Sequence, residues 1–201
     1  MNKHVSKKEQ LENLLNEIKN KTNRTNVDSV LPLLEWTKSK IDLVTSAYQK
    51  MLLIKQAKSE GKWVSIYVSR GEIWQAELGV NVGSEQSGSR PVLIIQNNEA
   101  NRKLPTTIIA PFSKLENRNN SEGKFTQEEL DQIKKRLRRM EVLLPEECVC
   151  EGEQPLKHPS IVLCQNLKEI SKERLSFKIA TLDEVYWPEI NSAIKTSLGI
   201  D

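Results

Sequence analysis

Histidine is scarce in this chain: among 201 residues only His4 and His158 are histidines. Acid–base work by a histidine pair and a metal centre built on imidazoles are disfavoured from the outset. Cysteine is almost as rare. Cys148, Cys150 and Cys164 make an odd set with no disulfide framework, which fits a reducing compartment. The spacing Cys148-x-Cys150, then His158, then Cys164 offers four zinc-type donors, but the cysteine gap is shorter than the usual two residues. The expectation is instead that Cys164 is a core residue of the strand-like run SIVLC and that the other two sit in a loop. No hydrophobic run approaches the roughly 18 to 20 residues that cross a bilayer, and the opening MNKHVSKKEQLENLL lacks the apolar stretch of a secretion signal. A cytoplasmic location and no membrane partner are expected. Internal repeats, low-complexity tracts, phosphate-binding glycine loops, the metalloprotease helix motif and the serine elbow are also missing, which sets those enzyme classes aside.

What is present is an ordinary soluble composition, 37% hydrophobic and 28% charged, with a formal net charge of +3. It implies only a weak bias toward anionic partners. The length allows one core, or one core and a smaller appendage. Residues 1–62 have helical texture throughout. Ser6 and Glu9 have capping-box spacing, and Leu11, Leu14, Leu15 and Ile18 form one apolar stripe. A turn at 23–26 follows, Asp28 is placed to cap, Pro32 reads as first-turn proline, and Ile41, Val44, Tyr48, Met51 and Leu52 line one side up to a stop at Gly61. Helices of this size cannot bury their stripes alone, so this extension is expected to pack on the rest of the chain, on a second copy or on another protein.

From Trp63 the period changes from helical to strand-like. Residues 63–78, 90–96, 106–113, 142–144 and 160–164 are candidate strands bounded by Gly, Pro, Asn and Ser. Short strands with long decorated loops suggest a small barrel. A helical insert over about 116–141 interrupts them: Thr126 and Glu129 make a capping box, and Leu130, Ile133, Leu137 and Met140 repeat at helical spacing. Its KKRLRR run, residues 134–139, would attract a phosphate backbone, although such a run is as readily a solvated helix face. Leu175 and Ile179 continue the helix grammar, with Thr181 and Glu184 as a further box, a disturbance at Pro188 and a stop at Gly199.

The stretch around which the rest is arranged is residues 70–113. Its polar loop GSEQSGSRP sets Arg90 at the mouth of a strand, with Glu85, Arg102 and Ser113 as further polar candidates. A guanidinium fork matches the charge that gathers on the non-bridging oxygens during phosphodiester transfer, and a serine hydroxyl adds a donor. In RNA the neighbouring sugar hydroxyl is the nucleophile, so neither an enzyme nucleophile nor a metal is obligatory. The same residues also read as a surface arginine pairing weakly with Glu85.

Residues 70–74 (RGEIW), 83–97 (GSEQSGSRPVLIIQN), 101–113 (NRKLPTTIIAPFS) and 160–175 (SIVLCQNLKEISKERL) closely resemble the MazF/PemK family of toxin endoribonucleases, and the final LGI is similar as well. The resemblance implies a mainly β fold with α elements: an SH3-like small barrel with a C-terminal helix over residues 63–201, here carrying the insert and the helical extension. It implies a homodimer that cuts single-stranded RNA, such as mRNA, at short sequences without a metal or other cofactor, leaving a cyclic phosphate. A cognate antitoxin protein would block the groove. Position by position, Arg90 matches the family's catalytic arginine and Ser113 stands where a threonine is common. Ser84, Glu85 and Gln86 match the loop that contacts RNA, with Glu85 a candidate base. Asn97, Lys114, Asn166 and Lys168 are further RNA-contact candidates, the last two in place of a common glutamine and arginine. The helical extension and the insert are departures from the family pattern. A dimer arm or partner-docking arm is the expected role of residues 1–62, ahead of a built-in inhibitor. Two other classes stand beside the nuclease: a non-catalytic or gyrase-poison-like binding module on the same barrel, and an assembly protein whose helices are the active part.

Overall fold

The computed structural model describes residues 6–60, 67–115 and 125–200. The chain divides into two compact units, residues 1–46 and 47–201. Helix α1 (Lys7–Thr22) opens as its sequence expects, with Ser6 Oγ accepting from Glu9 N at 3.2 Å. Helix α2 spans Val27–Ser59. Its cap is Asn26, not Asp28: Asn26 Oδ1 accepts from Asp28 N at 3.0 Å, leaving Asp28 as a first-turn acid facing the positive helix end. Pro32 lies beyond the first turn, inside the helix. Gly61, read as the helix stop, lies outside the described residues, as do 63–66 of the first expected strand and 116–124 of the insert.

The second unit is built on seven strands: β1 (Glu72–Glu77), β2 (Ser89–Ile94), β3 (Thr106–Lys114), β4 (Glu141–Leu144), β5 (Ser160–Leu163), β6 (Lys168–Ser171) and β7 (Leu175–Thr181). All pairings are antiparallel in the order β4-β5-β3-β2-β1-β7, with β6 also on β3. Strand β3 holds this together. One of its edges pairs with β2, while the other pairs first with β6 over Thr106–Ile109 and then with β5 over 112–114. Two register shifts between β1 and β7 bend the other end of the sheet. Alternation along β2 and β3 then feeds two cores. Val92, Ile94 and Ile109 join Ala76, Leu78 and Ile170 on one face, whereas Leu93, Ala110 and Phe112 join Ile73, Val162 and Ala180 on the other. The run VLII is apolar without a break because both faces are covered. Each such side chain contributes about 1.5–3 kcal/mol on burial.

Strand β7 departs from the expectation of helix at Leu175 and Ile179. Those two residues are four apart, a spacing that satisfies a helix and a strand alike; with Phe177 between them the period is two. The expected box at Thr181 and Glu184 is replaced by a short 3₁₀ turn in which Asp183 Oδ1 accepts from Val185 N at 2.9 Å. Helix α5 (Trp187–Leu198) begins there, with Pro188 in its first turn, where a missing N–H costs nothing, and Gly199 at φ 65° as its left-handed stop. Ile190 and Ala193 bury its inner face in the second of the two cores. Arg70 stacks 4.2 Å over the Trp187 ring and donates to Asn191 Oδ1 at 2.8 Å, fixing α5 to the start of β1.

In the insert, α4 (Gln127–Arg136) carries both halves of the Thr126–Glu129 capping box. It ends before Leu137, whose extended backbone turns the chain toward β4, so Leu137 and Met140 lie outside the helix. A shorter helix, α3 (Asn98–Lys103), joins β2 to β3. The Lys172 ammonium is almost fully buried behind it and donates to the Asn101 and Leu104 carbonyls, the latter at 2.7 Å. Cation and carbonyls meet at the negative end of α3. The expected parts are present, a curled antiparallel sheet, a C-terminal helix, a helical insert and an N-terminal helical extension, and with the helices counted the described chain is mixed α/β.

Candidate active site

The loop between β1 and β2 is tied shut by its own backbone and by one asparagine. Leu78 N donates to Gly88 O at 3.0 Å and Gly88 N to Gly79 O at 2.7 Å, both glycines at positive φ, which lets the ladder continue past the strand ends. Inside the loop, Asn81 Nδ2 donates to Gln86 O at 2.7 Å and Asn81 N donates to Ser87 Oγ at 3.0 Å. Sequence reasoning passed over Asn81, although asparagine bridging its own loop is a recognised turn chemistry. The GSEQ residues are therefore held in place.

Arg90 sits at the base of this loop on β2, opposite Ala76 of β1, and is part-buried. Its Nε and Nη2 donate to Ser87 O at 2.9 and 2.6 Å, and its Nη1 donates to Gln86 Oε1 and reaches the Phe112 carbonyl at 3.4 Å. The guanidinium plane is thereby locked before any ligand arrives. Across the sheet, Val92 pairs with Pro111; the same register carried two residues along each strand puts Ser113 of β3 opposite Arg90. Both share the strand face of Val92, Pro111 and Ile109. The observed pairs of this ladder run from Val92↔Pro111 to Ile94↔Ile109, so the two residues 23 positions apart lie just past its end.

A cleft of about 300 Å³ opens beside them, walled by Ser84, Glu85 and Gln86 of the loop, by Asn166 and Lys168 leading into β6, and by Pro111, over a floor of Leu78 and Ile109. Five of the expected RNA-contact or catalytic positions come together here. Asn97 does not join them: its side chain caps α3, accepting from Ala100 N at 2.8 Å. A second cleft of about 560 Å³ lies on the other side of β2, with Arg90 and Lys114 on its wall together with Pro91, Lys157, His158 and the exposed ring of Phe177. These last four were not anticipated; Phe177 was hidden inside a stretch read as helix. Ser113 lines neither of the two clefts. Arg90 stands between them, touching the first through Gln86.

The cysteines take no part. Cys148 and Cys164 are fully buried, and burial pushes both thiols up to about 12. Cys164 is core, as expected; Cys148, expected only in a loop, is core as well, because a single bridge between Val149 and Leu182 draws its loop against β7. Among the described residues, no three His, Cys, Asp or Glu side chains group to hold a metal ion, and no helix is long and apolar enough to cross a membrane.

Residues 69–198 match the model of a family described as PemK-like, MazF-like toxin of type II toxin-antitoxin system. The chain is 31% identical to the endoribonuclease EndoA of Bacillus subtilis over 134 residues, which is 66% of this chain and 96% of that protein. It is also 31% identical to the endoribonuclease MazF of Staphylococcus saprophyticus over 131 residues, 65% of this chain and 91% of that protein. Among solved structures, MazF from Deinococcus radiodurans superimposes with a TM-score of 0.48 at 16% identity, covering 68% of this chain and all of that one. A mycobacterial endoribonuclease in complex with its cognate antitoxin superimposes at 0.46 and 18%, covering 67% and 97%. The matched stretch begins just before β1 and ends in α5, leaving α1 and α2 outside it.

Proposed function

Because this chain belongs to the PemK-like, MazF-like family of toxins of type II toxin-antitoxin systems, we propose that it is a toxin endoribonuclease that cuts single-stranded RNA by transesterification and is held inactive by a cognate antitoxin protein. The observation that carries the reading is the locked guanidinium of Arg90, facing the Ser113 position and bonded to Gln86 of the GSEQ loop. In the proposed reaction the ribose 2′-hydroxyl attacks the adjacent phosphorus, a 2′,3′-cyclic phosphate forms, and the 5′-oxygen of the next nucleotide leaves with a proton. Arg90 stabilises the negative charge on the non-bridging oxygens as the fifth bond forms, and helps protonate the departing oxygen. Ser113 donates to a phosphate oxygen. Glu85, exposed on the cleft wall, takes the 2′-proton. Gln86 serves as a place-holder: its Oε1 occupies the Nη1 acceptor position that a phosphate oxygen takes when RNA enters. Splayed bases bind along the cleft between the loop and Asn166 and Lys168, where short-sequence specificity arises.

Nothing in these steps calls for a metal, since substrate supplies the nucleophile and the protein supplies charge and position. Purified chain should cut a single-stranded RNA in EDTA and leave 3′ ends that resist ligation until the cyclic phosphate is opened and the phosphate removed. Arg90→Ala, with unchanged circular dichroism, should not cut. Undiminished cutting by that variant would remove the assignment of Arg90. Intact RNA with the unaltered chain, together with broken DNA in the presence of gyrase, would favour the binding-module reading instead.

A further inference from the structure

Helix α2 lies outside the family match and carries a pattern that the nuclease reading leaves unused. Starting at Val27, apolar residues recur at alternating steps of three and four. The a positions are Val27, Leu34, Ile41 and Tyr48; the d positions are Val30, Thr37, Val44 and Met51. Thr37 is no exception. Its hydroxyl donates to Leu33 O one turn back at 2.8 Å, so its methyl group is what it offers to a neighbour. The b positions are polar for the whole length of the helix: Asp28, Glu35, Asp42, Gln49 and Gln56. Pro32, which cannot sit at a packed helix seam without distorting it, falls at f, the outermost position. A seven-residue period sustained over four heptads is the pattern of a left-handed coiled coil, and the half-buried Trp36 and Leu43, both at c, lie on a different side of the helix from it.

Among the described residues, the middle of the seam stays exposed. Ile41, Val44 and Tyr48 are each about 60% exposed. At the c position on another flank, Lys50 pairs with Glu173, so the side of α2 that meets its own chain there is not the seam. We propose that α2 pairs with α2 of a second copy of this chain, in a parallel, in-register two-stranded coiled coil.

Charge selects both the partner and the direction. Lys38 at e and Lys40 at g flank the middle of the seam. In a parallel pair each g residue faces the e residue five positions on in the partner, so Lys40 meets Thr45 and Lys38 meets Leu33, and no like charges oppose each other. An antiparallel pair centred on the same seam would bring all four ammonium groups together. The seam itself holds no charge that a differently charged partner helix would neutralise. Exposure agrees with a second copy. Nine of the ten apolar side chains on and beside the seam, the seven seam residues with Leu31, Leu33 and Leu52, are exposed to 39–68%, and together they form a continuous apolar surface along four heptads that a second copy would cover. The pairing would join two nuclease units in one particle by a device separate from any contact between their barrels.

The test is site-specific oxidation of the full-length chain. Thr37→Cys places a thiol in a d layer, where parallel in-register partners approach within disulfide reach, while Ser39→Cys places it at f on the outside. Thr37→Cys should give a covalent dimer under mild oxidation; Ser39→Cys and the parent chain, with its three native cysteines, should not. Adding Ile41→Glu to Thr37→Cys should abolish the crosslink while circular dichroism and RNA cutting stay as in the parent. No crosslink at position 37, equal crosslinking at 39, or a crosslink that survives Ile41→Glu would each overturn the proposal. None of these readouts depends on the nuclease being active, so the failure of one reading is distinguishable from the failure of the other.

Discussion

Arg90 has most of its donors committed to Ser87, Gln86 and Phe112 before substrate binds, so its orientation is a property of the folded loop and not of the ligand. Removing a preorganised donor of this kind costs about 10²–10³ in kcat, and Arg90→Ala is expected to lose cutting by that factor. Arg90→Lys should recover little of it, because an ammonium cannot bond Ser87 O through two nitrogens and still face the phosphate. Ser113→Thr, which keeps the hydroxyl, should cut, and Ser113→Ala should cut more slowly; single-turnover rates on a short fluorogenic RNA check all four. Lys172 presents a different balance. Its burial disfavours the charged form and lowers its pKa, yet it satisfies two carbonyls at the end of α3. Lys172→Met leaves both carbonyls without their donor and is expected to cost about 1–3 kcal/mol in urea unfolding, with the RNA site unaltered.

At the scale of elements, the connections do as much as the strands. Gly71 has φ 93° and both receives Leu182 N and donates to Ile94 O, at 2.9 and 3.0 Å, so one residue ties β1, β2 and the end of β7 together. Gly71→Ala must hold a left-handed backbone beside the Trp187 ring, and should destabilise by about 1–2 kcal/mol, measurable as a lower thermal midpoint. The long loop between β4 and β5 is fastened by Glu153. Burial raises its carboxyl pKa, but the Thr181 amide and hydroxyl and the Lys178 ammonium overcome this and hold it below the ordinary value. A carboxylate whose folded pKa is depressed adds stability above its unfolded pKa and loses it as pH falls through the folded one. Glu153→Gln should therefore melt below the parent at neutral pH, and the gap between the two thermal midpoints should close as pH drops below the ordinary carboxylate value of about 4.3.

Both hydrophobic cores, among the described residues, are drawn from residue 68 onward, and no described residue of α1 or α2 belongs to either. A chain lacking residues 1–60 is accordingly expected to fold and to cut RNA at an undiminished rate while losing the α2-mediated pairing; loss of folding on that truncation would show that the helices complete the barrel. What the sequence by itself determined were features carried by neighbours within a turn or a strand. The caps at Ser6 and Thr126, the Gly199 stop, the apolar runs of β2, β3 and β5 and the GSEQ loop could all be read because local hydrogen bonding and side-chain period decide them. Leu175 and Ile179 could not, since a spacing of four fits two periods and only pairing with β1 chooses the strand. Nor could the burial of Cys148, which depends on a bridge to Leu182 at a separation of more than thirty residues. The site divides in the same way. That Arg90 stands at a strand mouth is written in its neighbours; that its guanidinium is held by Ser87, Gln86 and the Phe112 carbonyl, with Gln86 on the wall of a cleft floored by Leu78 and Ile109, was decided only when antiparallel pairing closed the loops between them.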